Sequence, residues 1–290
     1  MKVLIFGAGV IGSLYASFLS RNGCETAIFA RGHRLAELRE KGLLYRQGSH
    51  VKCANVRVLE KLEPNDCYDY IFLTVRAEQL HDALKQLRDN VSPTIVTMVN
   101  SLEDYHAWEV ICGKGRILPA FPGAGGSIKD GILEAALTPR IIQPTTFAEI
   151  DGKDSQRVKA LKALLKGAGV PCQTVPDMHA WQVCHLAMVV PLADAYYMTN
   201  DPKWVHRDKT VMCRTAQALH DNFQTMKNRG DAISPPKLNL FRLCPVWFLS
   251  VVLPLVYHSS FGDRYMYQHA MKAKDEMEKL HQEFYKYIGG

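Results

Sequence analysis

Three glycines carry the first chemistry in this chain. In "KVLIFGAGVIGSLYASFLSRNG", Gly7, Gly9 and Gly12 stand in GxGxxG spacing between an apolar, strand-like run and a helical pattern. The spacing suits a diphosphate. The first glycine permits a tight turn, the second lets a phosphate approach the backbone, and the third allows strand and helix to pack closely. The diphosphate then meets the N–H groups of the first helical turn, at Val10 and Ile11. Near the position where an acid usually receives a ribose 2′-hydroxyl, the chain has Arg31, then His33 and Arg34, and the nearest acid is Glu37. A carboxylate repels a 2′-phosphate, whereas a guanidinium binds one through paired charged hydrogen bonds. The position therefore points to NADP rather than NAD. The plainer alternative leaves Arg31 as a solvated residue opening a helix.

These groups need a parallel sheet to hold them. Residues 2–6 read as a strand, 10–21 as a helix and 25–30 as a second strand. Residues 33–41 read as a helix, 68–75 as a buried strand, 77–90 as a helix and 94–100 as another strand. The strands are too apolar to have a wet face, and their alternation with helices predicts a doubly wound α/β (Rossmann) domain. Further strand-like pieces fall at 140–143 and 145–150, a helix at 155–166 and a last strand at 170–175. Beyond residue 177 the pattern is helical almost to the end, which predicts an all-α second domain. The expected domains are 1–176, binding NADP, and 177–290, a helical substrate and dimerisation domain, with a homodimer left open.

A lysine followed by an apolar run also fits the start of a secretory signal, with "YAS" as its cleavage site. Cleavage there would remove the first strand and all three glycines, so a retained, cytoplasmic chain is expected. The run "LCPVWFLSVVLPLVY" at 243–257 is shorter than the roughly 20 residues of a spanning helix, and contains Pro245 and Pro254. It reads as a buried core helix, with no membrane partner. "PAFPGAGGSIKDG" at 119–131 reads either as a flexible loop or as a glycine-rich anion cup.

The stretches "IFGAGVIGSLYASFLSRNG", "FARGHRLAELREKGL", "IFLTVRAEQLHDAL", "MVNS" and "HAWQVCHLAMVVPLADA" together resemble the ketopantoate (2-dehydropantoate) 2-reductase family. The resemblance is firm to about residue 100 and looser beyond. It implies an N-terminal Rossmann domain, a C-terminal helical domain, and hydride transfer from NADPH to the ketone of an α-keto acid, a reaction of pantothenate biosynthesis. It also implies that Gly7, Gly9 and Gly12 hold the pyrophosphate and Arg31 the 2′-phosphate. Val75 and Arg76 would flank the cofactor, with Arg76 where the family usually has lysine. Asn100 would sit beside nicotinamide and substrate, although an asparagine there also caps a strand.

The second half departs from the family pattern. Anchored on Trp181 or on Pro191, the catalytic-lysine position holds Val183 or Gln182, and the family asparagines are replaced by Leu186 or Ala187 and by Val190. Ketone reduction also needs a proton donor. His185, three residues from Gln182, is the remaining titratable group on that helix, either as acid or as a packed core histidine. Ser259 and Ser260 resemble the family's substrate-binding serine pair, and Glu276 is a spare carboxylate. The expected activity is reduction of a ketopantoate-like acid at an altered site; the alternative is an NADP-binding protein that has lost catalysis.

Bulk properties agree with a globular small-molecule enzyme. The chain has 290 residues, 22% charged and 47% hydrophobic, with net charge +6 and no basic block, so no nucleic-acid partner is expected. Eight scattered cysteines include no CxxC pair and no zinc spacing, which predicts free thiols and no metal.

Overall fold

A computed structural model describes residues 1–272 and 274–289. The chain divides into two compact units, Met1–Met178 and His179–Gly290. In the first, β1 (Lys2–Phe6), α1 (Val10–Arg21), β2 (Glu25–Phe29) and α2 (Gly32–Lys41) are followed by β3 (Leu43–Gln47), β4 (His50–Ala54), β5 (Arg57–Leu59) and β6 (Tyr70–Leu73). Then come α3 (Leu80–Leu87), β7 (Ile95–Thr97), α4 (Tyr105–Cys112), β8 (Ile117–Phe121), β9 (Ala124–Lys129), β10 (Ile132–Leu137), β11 (Thr145–Phe147), α5 (Gln156–Gly167) and β12 (Cys172–Thr174).

The main sheet has eight strands in the order β12-β11-β8-β7-β6-β1-β2-β5. From β8 to β5 the pairs are parallel, with Ile5 opposite Ile28 on one side and Phe72 on the other. The β8–β11 pair is antiparallel. β1 is central because Val3, Leu4, Ile5 and Phe6 are buried on both faces. The chain leaves β1 for β2 on one side and β6 on the other. That is the reversal at which open α/β sheets form a crevice beyond their carboxyl ends.

The sequence reading missed a second sheet, β4-β3-β10-β9. Helix α1 packs against strands of both sheets, which is why it is apolar nearly all round: Gly12 to Ser17 are consecutively buried. The Tyr15 hydroxyl shares a 2.5 Å hydrogen bond with Thr145 Oγ1 in β11, and burial pushes its pKa up. The glycine-rich segment after residue 122 is strand β9, joined to β10 by a tight turn at Asp130 and Gly131, both at positive φ. Its glycines serve backbone approach rather than an anion cup. A Cβ on Gly126 would lie 2.4 Å from the Ala135 Cα, and one on Gly123 2.4 Å from the Gln143 carbonyl. Residues 140–143, expected as strand, form an exposed turn in which Ile142 and Gln143 both donate to the Pro139 carbonyl.

The second unit is helical among its described residues. It contains α6 (Met178–Tyr197), α7 (Lys209–Asn228), α8 (Leu240–Leu243), α9 (Val246–His258), α10 (Gln268–Lys272) and α11 (Lys274–Gly289). Phe223 of α7 stacks on Phe241 of α8 at 5.3 Å, and the Tyr257 hydroxyl of α9 donates to the Leu192 carbonyl of α6. Helix α9 corrects one expectation. It is not a buried core helix, because Leu249, Leu253 and Tyr257 point inward while Trp247, Val251 and Leu255 stand in solvent. No single described helix is long and apolar enough to cross a membrane. The pair Pro236–Leu243 and Val246–His258 passes by length and composition only together, and is bent by 117°.

Candidate functional site

The groups singled out from the sequence fall, in the first unit, on the carboxyl ends of four adjacent strands. Across the order β7-β6-β1-β2 these ends present Asn100, then Val75 and Arg76, then the glycine turn, then Arg31. Residues distant in sequence thus form one row along a single sheet edge.

The glycine turn is built from its backbone outward. Gly7 sits at φ +120°, and a side chain there would meet the Thr74 carbonyl at 3.0 Å. Gly12 is tighter still. Its Cβ would lie 1.9 Å from the Gly7 oxygen and 2.5 Å from Thr74 Oγ1. Gly9 is the opposite case: it has φ −73°, it is exposed to solvent, and a Cβ there would meet nothing within 4 Å. Gly9 is the N-cap of α1 and offers no side-chain cap, and the first turn carries no acid. The helix start thus has open space at Gly9, and unpaired first-turn N–H groups together with the helix dipole favour an anion there.

Two residues that sequence reasoning left out hold this turn from behind. Thr74 Oγ1 donates to the Gly7 carbonyl at 2.9 Å, while its N–H bonds the Phe6 carbonyl at 3.0 Å. Arg34 donates through Nε to the Ala8 carbonyl at 3.2 Å and through Nη2 to Ser13 Oγ at 3.3 Å, and forms an ion pair with Glu37. Arg34 is therefore engaged in support and its charge is balanced. A threonine closing an apolar strand was the one available signal for Thr74; for Arg34 there was none beyond its place after Arg31.

Arg31 differs from Arg34. It is exposed, it forms the N-cap of α2, and its guanidinium carbon lies 5.8 Å from the Phe29 ring centroid. The first turn of α2 contains no acid. Arg76 is also exposed, with Nη1 4.0 Å from the Glu78 carboxylate. At the other end of the row, Thr97 Oγ1 and Asn100 Oδ1 are both buried without a hydrogen-bond partner. Two such oxygens on one strand end are uncommon, because burying an unpaired polar atom costs about 1–3 kcal/mol. They fit a ligand with hydrogen-bond donors, such as a carboxamide.

In the second unit, Gln182 and Val183 are almost wholly buried on α6. His185 is 7% exposed, with its ring stacked on Trp181 at 5.3 Å and 7°. That parallel stack is what a packed histidine would show. Ser259 closes α9: its hydroxyl donates to the Val256 carbonyl at 2.5 Å and accepts from the Gly262 N–H at 3.1 Å. Ser260 is exposed, and Glu276 lies half-buried on α11. Among the described residues there is no group of three or more metal-ligating side chains.

A parallel sheet reversing at β1, with a glycine turn feeding a helix N-terminus, defines the Rossmann class, here followed by a helical unit. Within that class, residues 3–135 match the family described as ketopantoate reductase PanE/ApbA. A curated 2-dehydropantoate 2-reductase of Archaeoglobus fulgidus is 28% identical over 178 residues, covering 61% of this chain and 57% of that protein. The curated relatives matched are spanned over 31% to 58% of their own lengths. The crystal structure of a 2-dehydropantoate 2-reductase from Geobacter metallireducens superposes with a TM-score of 0.71 at 15% identity, over 99% of this chain and 100% of that one. That of D-mandelate dehydrogenase with NADH gives 0.71 at 15%, over 100% and 93%. The resemblance read from the sequence is borne out as far as it goes: residues 3–135 match the ketopantoate reductase family, and the chain's fold is similar to that of solved 2-dehydropantoate 2-reductase structures.

Proposed function

We propose that the protein is an NADPH-dependent reductase of a 2-keto acid, with a substrate site altered from that of ketopantoate reductases. The observation that carries this reading is the row of Asn100, Val75 and Arg76, the Gly7–Gly12 turn and Arg31 along four adjacent strand ends. Its order matches that of a dinucleotide, from carboxamide end to 2′-phosphate end. The open space at Gly9 and the N–H groups at Val10 and Ile11 would take the pyrophosphate. Arg31, unlike Arg34, has its charge free for a 2′-phosphate. The orphaned oxygens of Asn100 and Thr97 suit the donors of a nicotinamide carboxamide.

NADPH supplies the hydride when bound. The chain must then supply orientation and a proton. Asn100 orients the reacting end, and His185 and Gln182 are assigned as proton donor and hydrogen-bonding partner on α6, with Ser259 and Ser260 as contacts for the acid. The printed names of the relatives, 2-dehydropantoate 2-reductase and D-mandelate dehydrogenase, both point to a 2-keto or 2-hydroxy acid. The loss of polar residues at Val183, Leu186, Ala187 and Val190 favours a less polar acid than ketopantoate.

A second reading is supported by α6 itself. Between Ala180 and Ala193 it contains no lysine or arginine, so a protein that binds NADPH without turnover fits the same cofactor half. Titration of the purified chain with NADPH and NADH, followed by a 2-keto acid panel, separates the two. Tight NADPH binding with oxidation on an acid of the panel is the expected result. Binding without turnover on every acid selects the second reading, and absence of binding refutes both.

A further inference from the structure

Two loops form the carboxamide end of the row, and one side chain joins them. At the end of β7 the Met98 N–H still bonds the Leu73 carbonyl of β6 at 2.9 Å. The chain then carries Asn100 through an irregular stretch to α4, whose N-cap is Asp104. The neighbouring loop, after β6, carries Arg76 into a single 3-10 turn (Ala77–Gln79), where the Gln79 N–H bonds the Arg76 carbonyl, and so into the first turn of α3. Glu103 links the two. Its Oε2 accepts from the Trp108 Nε1–H at 2.9 Å and lies 2.7 Å from Nε2 of His81 on α3. A carboxylate only accepts, so His81 donates that bond. Trp108 is wholly buried, its ring centroid 5.2 Å from that of Tyr105, so Glu103 is tied to the core side of α4 as well as to α3. The Glu103 N–H in turn bonds Ser101 Oγ at 3.2 Å, closing a turn directly after Asn100.

We propose that His81 and Glu103 are positioning residues for the nicotinamide end of the cofactor: their hydrogen bond clamps the loops after β6 and β7 together and so holds Asn100 in place. Stability alone does not account for the pair. The two side chains are 52% and 45% exposed, and ion pairs or hydrogen bonds between exposed side chains contribute little to folding. What the pair fixes is geometry. Asn100 lies three residues before Glu103, in the stretch between the last ladder bond and the α4 cap, and its buried Oδ1 has no partner of its own. A loop held in its binding conformation before the ligand arrives spares the complex the entropy of ordering it. Glu103 supplies that restraint from both sides at once, through the Trp108 and His81 bonds to a single oxygen. The inference rests on the reductase reading, and adds to it two residues that act through Asn100.

The test titrates the full chain with two ligands that differ at that end: NADPH, and 2′-phospho-ADP-ribose, which keeps the pyrophosphate and the 2′-phosphate but has no nicotinamide. His81→Ala removes the donor at an exposed position and leaves the Glu103–Trp108 bond in place. It is expected to raise the Kd for NADPH about tenfold and to leave that for 2′-phospho-ADP-ribose within about twofold. His81→Gln, whose amide can again donate to Glu103, restores most of the NADPH affinity. Glu103→Ala weakens NADPH binding further, because it also leaves the Trp108 N–H unpaired. On that background His81→Ala adds nothing, since the two residues form one link. Equal losses for both ligands would assign the pair a structural role and overturn the proposal. So would a His81→Ala variant that binds NADPH as the wild type does, or additive losses in the double variant. A wild type that binds neither ligand refutes the reductase reading itself, so the two failures are distinguishable.

Discussion

Alanine at Gly9 and alanine at Gly12 should do opposite things, although the two positions lie three residues apart in one turn. At Gly12 the added Cβ would sit 1.9 Å from the Gly7 oxygen, 2.5 Å from Thr74 Oγ1 and 2.9 Å from Ile5 Cγ2. Ordinary contacts require about 3.5 Å, so α1 must retreat from β1 by roughly 1.5 Å. Helix α1 cannot do so freely, because it packs against both sheets and is tied to β11 through Tyr15 and Thr145. Overpacking of this kind costs about 1–3 kcal/mol, and the upper end applies where backbone meets backbone. For a unit of this size, about 2–3 kcal/mol lowers Tm by roughly 4–12 °C. At Gly9 the same methyl meets nothing within 4 Å, and φ −73° suits alanine. The apo protein should keep its Tm or gain a degree or two, since alanine restricts the unfolded chain. Yet that methyl occupies the space the pyrophosphate needs, so NADPH affinity should fall by about two orders of magnitude or more, equivalent to roughly 3 kcal/mol. Thermal unfolding of the apo protein, paired with fluorescence titration of NADPH, reads both effects. If Gly9→Ala unfolds the protein, or binds NADPH as the wild type does, the cradle has been placed wrongly. If Gly12→Ala leaves Tm unchanged, the close strand–helix contact does not exist.

Two further outcomes follow from charged groups. Arg31→Ala should raise the Kd for NADPH about 10- to 100-fold and leave that for NADH nearly unchanged, because a charge-assisted contact to the 2′-phosphate contributes about 1.5–3 kcal/mol; equal losses for both cofactors would remove Arg31 from phosphate recognition. Glu149 offers a pH-dependent test away from the site. Burial raises its carboxyl pKa, but hydrogen bonds from Arg157 and Ser155 outweigh that and hold it below the usual carboxylate range. A depressed folded-state pKa contributes stability above the unfolded value, near about 4.3, that is lost as pH falls through the folded value. Glu149→Gln should therefore cost about 2 kcal/mol at pH 7, where it leaves Arg157 short of its partner, and progressively less below about pH 4. Denaturant melts at both pH values check this, and a cost that does not shrink in acid would refute it.

The segment from β1 to β2 was legible to within a residue, because its signals are local: a strand without a polar face, glycines at fixed offsets, and a helix closed by Arg21. The small sheet was not legible. Its strands "LLYRQ" and "HVKCA" are short; the first has only three apolar residues before two exposed polar ones and the second is largely exposed, so neither apolar alternation nor a long apolar run marks them. Strand β9 was hidden by its own glycines, which read as a loop but serve the close approach of Gly126 to Ala135. In α9, apolarity reads as burial, yet a hydrophobic pattern records only which residues avoid water, not whether a given face has its partner within the same chain. Thr74 and Arg34 escaped because their role depends on strand order: β6 lies beside β1 only in the folded sheet, which puts the Thr74 hydroxyl on the Gly7 carbonyl.

The same distinction explains why the cofactor reading and the α6 reading differ in clarity. The cofactor reading rests on Gly7, Gly9 and Gly12, and these leave a fingerprint: only glycine fits the folded backbone at Gly7 and Gly12, and at Gly9 the missing side chain leaves room for a phosphate. Proton transfer on α6 rests on side-chain identity, and there the chain has Val183, Leu186, Ala187 and Val190 where the family resemblance implies charged and amide groups. His185 remains, but its stack on Trp181 is equally the geometry of a packed ring. The two roles separate in kinetics rather than in structure. A proton donor removed by His185→Ala lowers kcat and changes the pH profile while NADPH affinity is retained; a packing residue lowers Tm and leaves that profile where it was.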